Sequence, residues 1–172
     1  MPLPGAWVIP RQKKVIVVGV ADMVASNDTS TELVTYSLGS CLGVAVYDPV
    51  KRVGGLLHLM LPDSTIDPVK ARNSPYMFVD TGVPRLFHQI YGLGGLKQNL
   101  IVKVAGGAQF LDDANFFNIG ERNCTAINSL LANNSHSIQA LDVGGRTSRT
   151  LRMDLSSGNV SIQSPGMNSY QL

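Results

Sequence analysis

The chain has 172 residues, which is short for two ordinary domains and sufficient for one. Fourteen Lys and Arg against twelve Asp and Glu leave a formal net charge of +2, too small a surplus to indicate nucleic acid or an acidic membrane as the main partner. Charged residues make up 15% of the chain and hydrophobic residues 44%, which excludes general disorder. The two cysteines lack the Cys-x-x-Cys spacing of zinc sites, and no apolar run is long enough for a membrane span. We therefore expect a cytoplasmic, soluble protein without a metal or other cofactor and without membrane insertion.

The first third of the chain predicts four strands, separated by clusters of Gly, Asn and Pro. They cover residues 15–20, 32–36, 41–47 and 55–61. The segment 63–75 is rich in Asp, Ser, Pro and Asn, and its length indicates a functional loop.

Apolar residues at helical spacing over 83–91 predict a first helix, with Asp80 or Thr81 as its cap and Gly92 as its end. Pro84 is compatible with this helix only within the first turn. A second helix is predicted from Asn118, which forms a capping-box pattern with Glu121, to residue 133.

Further strands are predicted over residues 100–105, 138–143, 150–155 and 159–163. The elements together predict a mixed α/β (α+β) fold, a single-domain layered sandwich of mostly antiparallel strands with two main helices. This domain spans residues 14–164, between a loosely ordered N-terminal arm (residues 1–13) and a C-terminal tail (residues 165–172).

The two cysteines have different surroundings. Cys124 precedes Ile127 by three residues and Leu131 by seven, so on a helix it shares their apolar face and is expected in the core. Cys41 lies between two glycines and before a strand.

Gly39 and Gly43 allow another backbone or a substrate to approach the Cys41 sulfur. They also leave room for backbone N–H groups near Ser40 and Cys41 to converge on one point, as an oxyanion hole requires. Gly39 and Ser40 are thus candidates for stabilising an oxyanion or positioning a substrate. Taken alone, Cys41 is better explained as a buried structural thiol.

His58 strengthens the catalytic interpretation of Cys41, because an ionisable ring in an apolar run must find a partner. If the chain turns at residues 48–51, facing residues have numbers that sum to 99, and Cys41 lies directly opposite His58. A longer loop would shift this register by up to three residues. His88 and His136 are expected to be ordinary surface or boundary residues.

A Cys–His pair needs a third group to orient the imidazole. Thr35 lies in a strand that can run alongside the pair. On spacing alone it is better explained as an ordinary β-branched strand residue.

Several motifs together are similar to one family. They are Val-Thr-Tyr-Ser-Leu-Gly-Ser-Cys at 34–41, His-Leu-Met-Leu-Pro-Asp-Ser at 58–64 and Asn-Ile-Gly-Glu-Arg-Asn at 118–123. The chain resembles the chemoreceptor glutamine deamidases, CheD, over about residues 15–163. The resemblance implies that Cys41, His58 and Thr35 are the catalytic residues and that the fold is related to the deamidating bacterial cytotoxins. It further implies glutamine side chains of the cytoplasmic helices of chemoreceptors as substrates and a CheC-type phosphatase as a partner.

The residues leave two other functions open. One is a non-catalytic chemotaxis adaptor that uses the family's surface groove only to dock receptors or a CheC-type phosphatase. The other is a receptor methylesterase, because a thioester mechanism hydrolyses esters as well as amides. Basic residues could meet acidic receptor helices or could simply be solvated. They are Lys51, Arg52, Arg146, Arg149 and Arg152.

Overall fold

A computed structural model describes residues 13–109 and 118–172 of the chain. In these residues ten strands form two five-stranded sheets. The strands are β1 (Lys14–Val17), β2 (Asp22–Ser26), β3 (Thr31–Leu38), β4 (Leu42–Asp48), β5 (Val53–Leu59), β6 (Ile101–Gly106), β7 (Ala140–Val143), β8 (Arg149–Asp154), β9 (Val160–Gln163) and β10 (Tyr170–Gln171). The α-helices are α1 (Pro68–Asn73), α2 (Val79–Gly92) and α3 (Ile119–Asn133).

Sheet A has the strand order β1-β3-β8-β9-β10, and sheet B has the order β2-β5-β4-β6-β7. The pairs β1–β3 and β6–β7 are parallel, and the other six pairs in the described residues are antiparallel. The predicted mixed sandwich of mostly antiparallel strands with two main helices is confirmed, since α2 and α3 are 14 and 15 residues long.

Sheet B is the middle layer of the molecule. One of its faces packs on sheet A through residues such as Leu56 and Leu151, and the other packs on α2 and α3 through residues such as Leu57 and Leu86. Every residue of β4 and β5 is therefore buried, and both strands are almost continuously apolar, as strands covered on both faces should be. His58 thus lies in a strand with no solvent-facing side.

The strand predicted over 15–20 is wrong in its extent. The chain leaves β1 after Val17 and crosses to sheet B, where β2 pairs with β5. Ala21 makes this crossing with a left-handed φ of +55°, which a short apolar run does not reveal. The crossing brings Val18 beside β3, where its N–H donates to the Val34 carbonyl at 2.8 Å.

The predicted caps of α2 are also wrong, because both side chains bind elsewhere. The Asp80 carboxylate accepts hydrogen bonds from the N–H and hydroxyl of Ser64, and the Thr81 hydroxyl donates to the Pro75 carbonyl at 2.6 Å. The helix begins one residue before Asp80, so Pro84 is its sixth residue, beyond the first turn.

Two other local predictions need correction. Asn118 does precede α3, but it adopts a left-handed φ of +35° and its side chain makes no capping hydrogen bond, so the capping box does not form. The segment predicted as the loop 63–75 contains α1 and the 3-10 turn Ser64–Ile66, and a second 3-10 turn, Pro75–Met77, begins at its last residue.

The segment 165–172, expected as a tail, includes β10, whose Tyr170 pairs with Ile162 of β9. No helix in the described ranges has the length and apolar character needed to cross a membrane.

Candidate active site

Thr35 and His58 meet between the two sheets. Thr35 is fully buried on β3 of sheet A, and His58 is 1% exposed on β5 of sheet B. Their Oγ1 and Nδ1 atoms are 2.7 Å apart. The structure therefore brings together two of the three catalytic residues predicted from the sequence.

The hydrogen bonds of Thr35 determine the tautomer of His58. The Thr35 hydroxyl donates its single hydrogen to the Val18 carbonyl at 2.8 Å, since a carbonyl can only accept. Thr35 Oγ1 must then accept from His58 Nδ1–H. In the neutral ring the other nitrogen, Nε2, is left with its lone pair free to take a proton.

His58 Nε2 is fully buried and has no hydrogen-bond partner among the described residues. Burial also lowers the pKa of His58, because the charged imidazolium is poorly solvated between the sheets. The ring therefore rests in its neutral form near pH 7.

The register summing to 99 predicts that Cys41 lies directly opposite His58, and this prediction is wrong. In the ladder between β4 and β5 it is Gly43 that pairs with His58, so the facing numbers sum to 101. The shift arises because the Asp48 carboxylate accepts N–H groups of Val50 and Lys51, which extends the connecting loop to residues 49–52.

The shifted register still leaves Cys41 on the His58 side of sheet B. Cys41 directly precedes β4, two positions before Gly43, and alternate residues of an extended chain face the same way. Its half-buried side chain packs against the inter-sheet core, into which His58 also points. Burial raises the pKa of the Cys41 thiol, so this group also rests uncharged.

The 39–41 loop is held by all three of its carbonyl groups. The Gly39 carbonyl accepts from Ala108 N at 2.7 Å, and the Cys41 carbonyl accepts from Gly107 N at 2.8 Å. The Ser40 carbonyl accepts from the side chain of Asn123 at 3.0 Å. These contacts fix the backbone that carries the thiol.

Gly106 makes the close approach behind Cys41 possible. Its φ is +117°, and a Cβ atom at this position would lie 2.2 Å from the Cys41 carbonyl oxygen. A side chain here would push β6 and the 39–41 loop apart.

The N–H groups of the same loop differ in their availability. Gly39 N–H donates to the Ser37 carbonyl at 2.9 Å. Within the described part of the chain, no backbone carbonyl accepts a hydrogen bond from the N–H groups of Ser40 and Cys41. Of the two residues predicted for an oxyanion hole, Ser40 thus has a donor to offer and Gly39 does not.

Asn123 is a contributor that the sequence reasoning missed. It is fully buried on α3, on the same stripe as Ile127 and Leu131. The sequence did contain a signal for it: Asn123 precedes the apolar Ile127 by four residues, which places a polar side chain on the core-facing stripe of the helix.

Arg149 is held inside the fold rather than displayed to a partner. Its guanidinium donates to the Asp142 carboxylate at 2.9 Å and to the carbonyls of Gly144 and Thr147 at 2.9 and 3.0 Å. The adjoining turn connects to the segment beside the 39–41 loop, since the carbonyl of Gly145 accepts from the N–H of residue 109.

The other histidines lie elsewhere in the fold. His88 is exposed on α2, and His136 stacks on Phe87 with ring centroids 4.4 Å apart. In residues 13–109 and 118–172, no three His, Cys, Asp or Glu side chains are grouped to hold a metal ion.

Comparison with known proteins identifies the kind of protein to which this fold and site belong. The family model described as "CheD chemotactic sensory transduction" matches residues 60–164. A probable chemoreceptor glutamine deamidase CheD of Syntrophus aciditrophicus is 48% identical over 88% of this chain and 94% of its own length. The similarly named proteins of Solibacter usitatus and Clostridium kluyveri are 45% and 43% identical, over 88% and 90% of this chain and 89% and 95% of their own lengths.

The chain is thus a protein of chemotactic signalling by family. It belongs to the CheD family.

Proposed function

We propose that this chain is a chemoreceptor glutamine deamidase in which Cys41 is the nucleophile, His58 the general base and acid, and Thr35 the group that orients the imidazole. The observation that carries the proposal is the chain of hydrogen bonds from His58 Nδ1 through Thr35 to the Val18 carbonyl. It leaves Nε2 as the proton acceptor on the side of the ring that faces away from Thr35.

The reaction begins from an uncharged pair, because burial raises the pKa of Cys41 and lowers that of His58. When a glutamine side chain occupies the site, the Cys41 thiol proton moves to His58 Nε2 as Sγ attacks the amide carbon. The imidazolium then gives its proton to the amide nitrogen, ammonia leaves and a thioester remains. Water, deprotonated by the same Nε2, attacks the thioester, releases glutamate and restores the thiol.

The oxyanion formed in each attack needs donors close to Cys41. The N–H groups of Ser40 and Cys41 fit this role because the carbonyls of the same loop are all bound from behind. Such donors contribute about 10²–10³ in rate. Gly39 supports the loop through its carbonyl and N–H group and donates nothing to the substrate.

Thr35 orients the ring without adding charge. A carboxylate in its place would stabilise the imidazolium by full charge, whereas a hydroxyl stabilises it only as a hydrogen-bond acceptor. Since Thr35 commits its own hydrogen to Val18, it also prevents the opposite tautomer from forming.

The substrates in this proposal are glutamine side chains on the cytoplasmic helices of chemoreceptors, so the protein acts in the cytoplasm. The names of its relatives describe those proteins as probable chemoreceptor glutamine deamidases. A CheC-type phosphatase is a proposed partner on the resemblance alone.

The test is incubation of the native protein with receptor cytoplasmic fragments, followed by mass spectrometry for glutamine converted to glutamate. We expect conversion by the native protein and by Cys124→Ala, and none by Cys41→Ala. Undiminished conversion by Cys41→Ala would contradict the mechanism. Tight receptor binding without conversion by the native protein would identify an adaptor, and release of methanol from methylated fragments would identify a methylesterase.

A further inference from the structure

The side chain of Asn123 joins the two halves of the proposed catalytic pair. Its Nδ2 atom donates to the Ser40 carbonyl at 3.0 Å and to the Met60 carbonyl at 2.9 Å. Ser40 immediately precedes Cys41, and Met60 follows His58 by two residues. One amide group therefore contacts both the loop of the thiol and the strand of the imidazole.

The orientation of this amide follows from its neighbours. Both partners are carbonyl oxygens, which can only accept, so the NH₂ end must face them and both of its hydrogens are used. Asn123 Oδ1 is left buried with no hydrogen-bond partner among the described residues. An unpaired buried acceptor destabilises the fold, so the amide keeps this orientation because its two donated hydrogen bonds hold it there.

The two hydrogen bonds of Asn123 lie just past the end of the backbone ladder between β4 and β5. The last pair between β4 and β5 is Leu42 with Leu59, and one more step of that register would set Cys41 opposite Met60. Beyond this pair Met60 N–H donates to the Met77 carbonyl instead. Asn123 thus continues the connection between the strands with its side chain.

The other two contacts that hold the 39–41 loop come from the backbone that follows β6. They fix the loop against β6. On the β5 side, the Leu42–Leu59 pair ends the ladder, and past it the Asn123 amide joins the loop to the chain that follows β5. We propose that Asn123 is a positioning residue that sets the separation of the Cys41 thiol from His58 Nε2. The chemical meaning of this separation rests on the proposed function.

The experiment compares Asn123→Ala with Leu131→Ala, a buried leucine about two helical turns further along the same stripe of α3, whose side chain makes no hydrogen bond. Three quantities are measured for each: kcat and KM for a receptor fragment, the pH dependence of iodoacetamide alkylation of Cys41, and Tm. Misplacement of reacting groups by about 1 Å costs up to roughly 10²-fold. We expect Asn123→Ala to lower kcat by about 10–10²-fold with KM within about twofold, and to shift the alkylation profile.

Leu131→Ala should lower Tm while keeping the native kcat per folded molecule and the native alkylation profile. The inference is overturned if Asn123→Ala keeps the native kcat and profile, or if Leu131→Ala reproduces its losses. Alkylation of Cys41 does not require deamidation, so its pH profile tests the positioning role of Asn123 even if the native protein converts no glutamine.

Asn123→Asp keeps the shape of the side chain and guards against a variant that is too loosely packed to fold. Its ionised form has no donor, and its protonated form has one. Its kcat relative to the native protein should therefore be lowest at high pH and rise as the pH falls. A ratio that stays at one across the range would overturn the inference.

Discussion

Leu57 and His58 are neighbours on β5 but point to opposite faces of sheet B. Leu57 packs among apolar side chains between sheet B and the helices. His58 points between the sheets, where its hydrogen-bond partner is Thr35. Burial of Leu57 stabilises the fold, whereas burial of His58 leaves its Nε2 without a partner among the described residues. Because side chains alternate along a strand, one face of β5 contributes to stability and the other to the proposed chemistry.

Of these two neighbours, His58 should show the larger effect on catalysis when it is replaced by Ala. Without Nε2 the proposed acceptor of the Cys41 thiol proton is lost, and we expect kcat to fall by about 10²–10⁴-fold. Single-turnover conversion of a receptor fragment measures this loss. If His58→Ala retains kcat within a few-fold of native, the inter-sheet face is not the catalytic one.

Leu57→Ala should produce the opposite pattern. Removing a fully buried leucine costs about 2–5 kcal/mol of unfolding free energy, because the cavity collapses only in part. Urea denaturation should register this cost, while kcat per folded molecule should stay near native. A loss of kcat as large as that of His58→Ala would mean that the two faces are not functionally separate.

Thr35→Val tests the orienting hydrogen bond with little change in shape. It removes the acceptor of His58 Nδ1–H, so either tautomer can form, and kcat should fall by roughly tenfold or more. Thr35→Ser retains the hydroxyl and should recover most of the activity. Equal activity of the Val and Ser variants would show that ring orientation does not depend on residue 35.

The pH dependence follows from the lowered pKa of His58. In the unfolded chain the ring takes up its proton near pH 6.5, whereas the folded chain takes it up at a lower pH. Below about pH 6.5 the unfolded state therefore binds more protons, so the contribution of His58 to stability is complete above that pH and is lost as the pH falls. The urea midpoint of the native protein should fall between pH 7 and 5 more steeply than that of His58→Gln. Parallel profiles would contradict the buried neutral ring.

The sequence predicted the layered fold and singled out His58, because apolar runs, turn residues and an out-of-place histidine are local signals. Only the family resemblance pointed to Thr35, since its spacing alone is that of an ordinary strand residue. It did not predict the register of Cys41. That register depends on Asp48 accepting two N–H groups, and on Arg52 adopting a φ of +53°, a conformation that its residue type does not favour. The role of Asn123 was equally hidden, since its partners Ser40 and Met60 are distant in the chain.

The smallest effect should be found on the outer side of sheet A, at Arg152. Its guanidinium is 3.1 Å from the Glu32 carboxylate and 5.9 Å from the centre of the Tyr36 ring, and its side chain is 36% exposed. Exposed pairs of this kind contribute about 0–1 kcal/mol, and salt screens them. Arg152→Ala should therefore lower stability by at most about 1 kcal/mol. Its KM for receptor fragments should stay near native, because Glu32 already neutralises the charge.

Arg149→Ala is the matched comparison, since Arg149 makes three hydrogen bonds with its side chain only 10% exposed. Its loss should cost about 1–3 kcal/mol, because two carbonyls and a carboxylate lose their donor. A several-fold rise in KM for Arg152→Ala, reduced at high salt, would instead make the outer side of sheet A a receptor-binding surface. The separation of chemistry from stability would then extend to a third face of the sandwich.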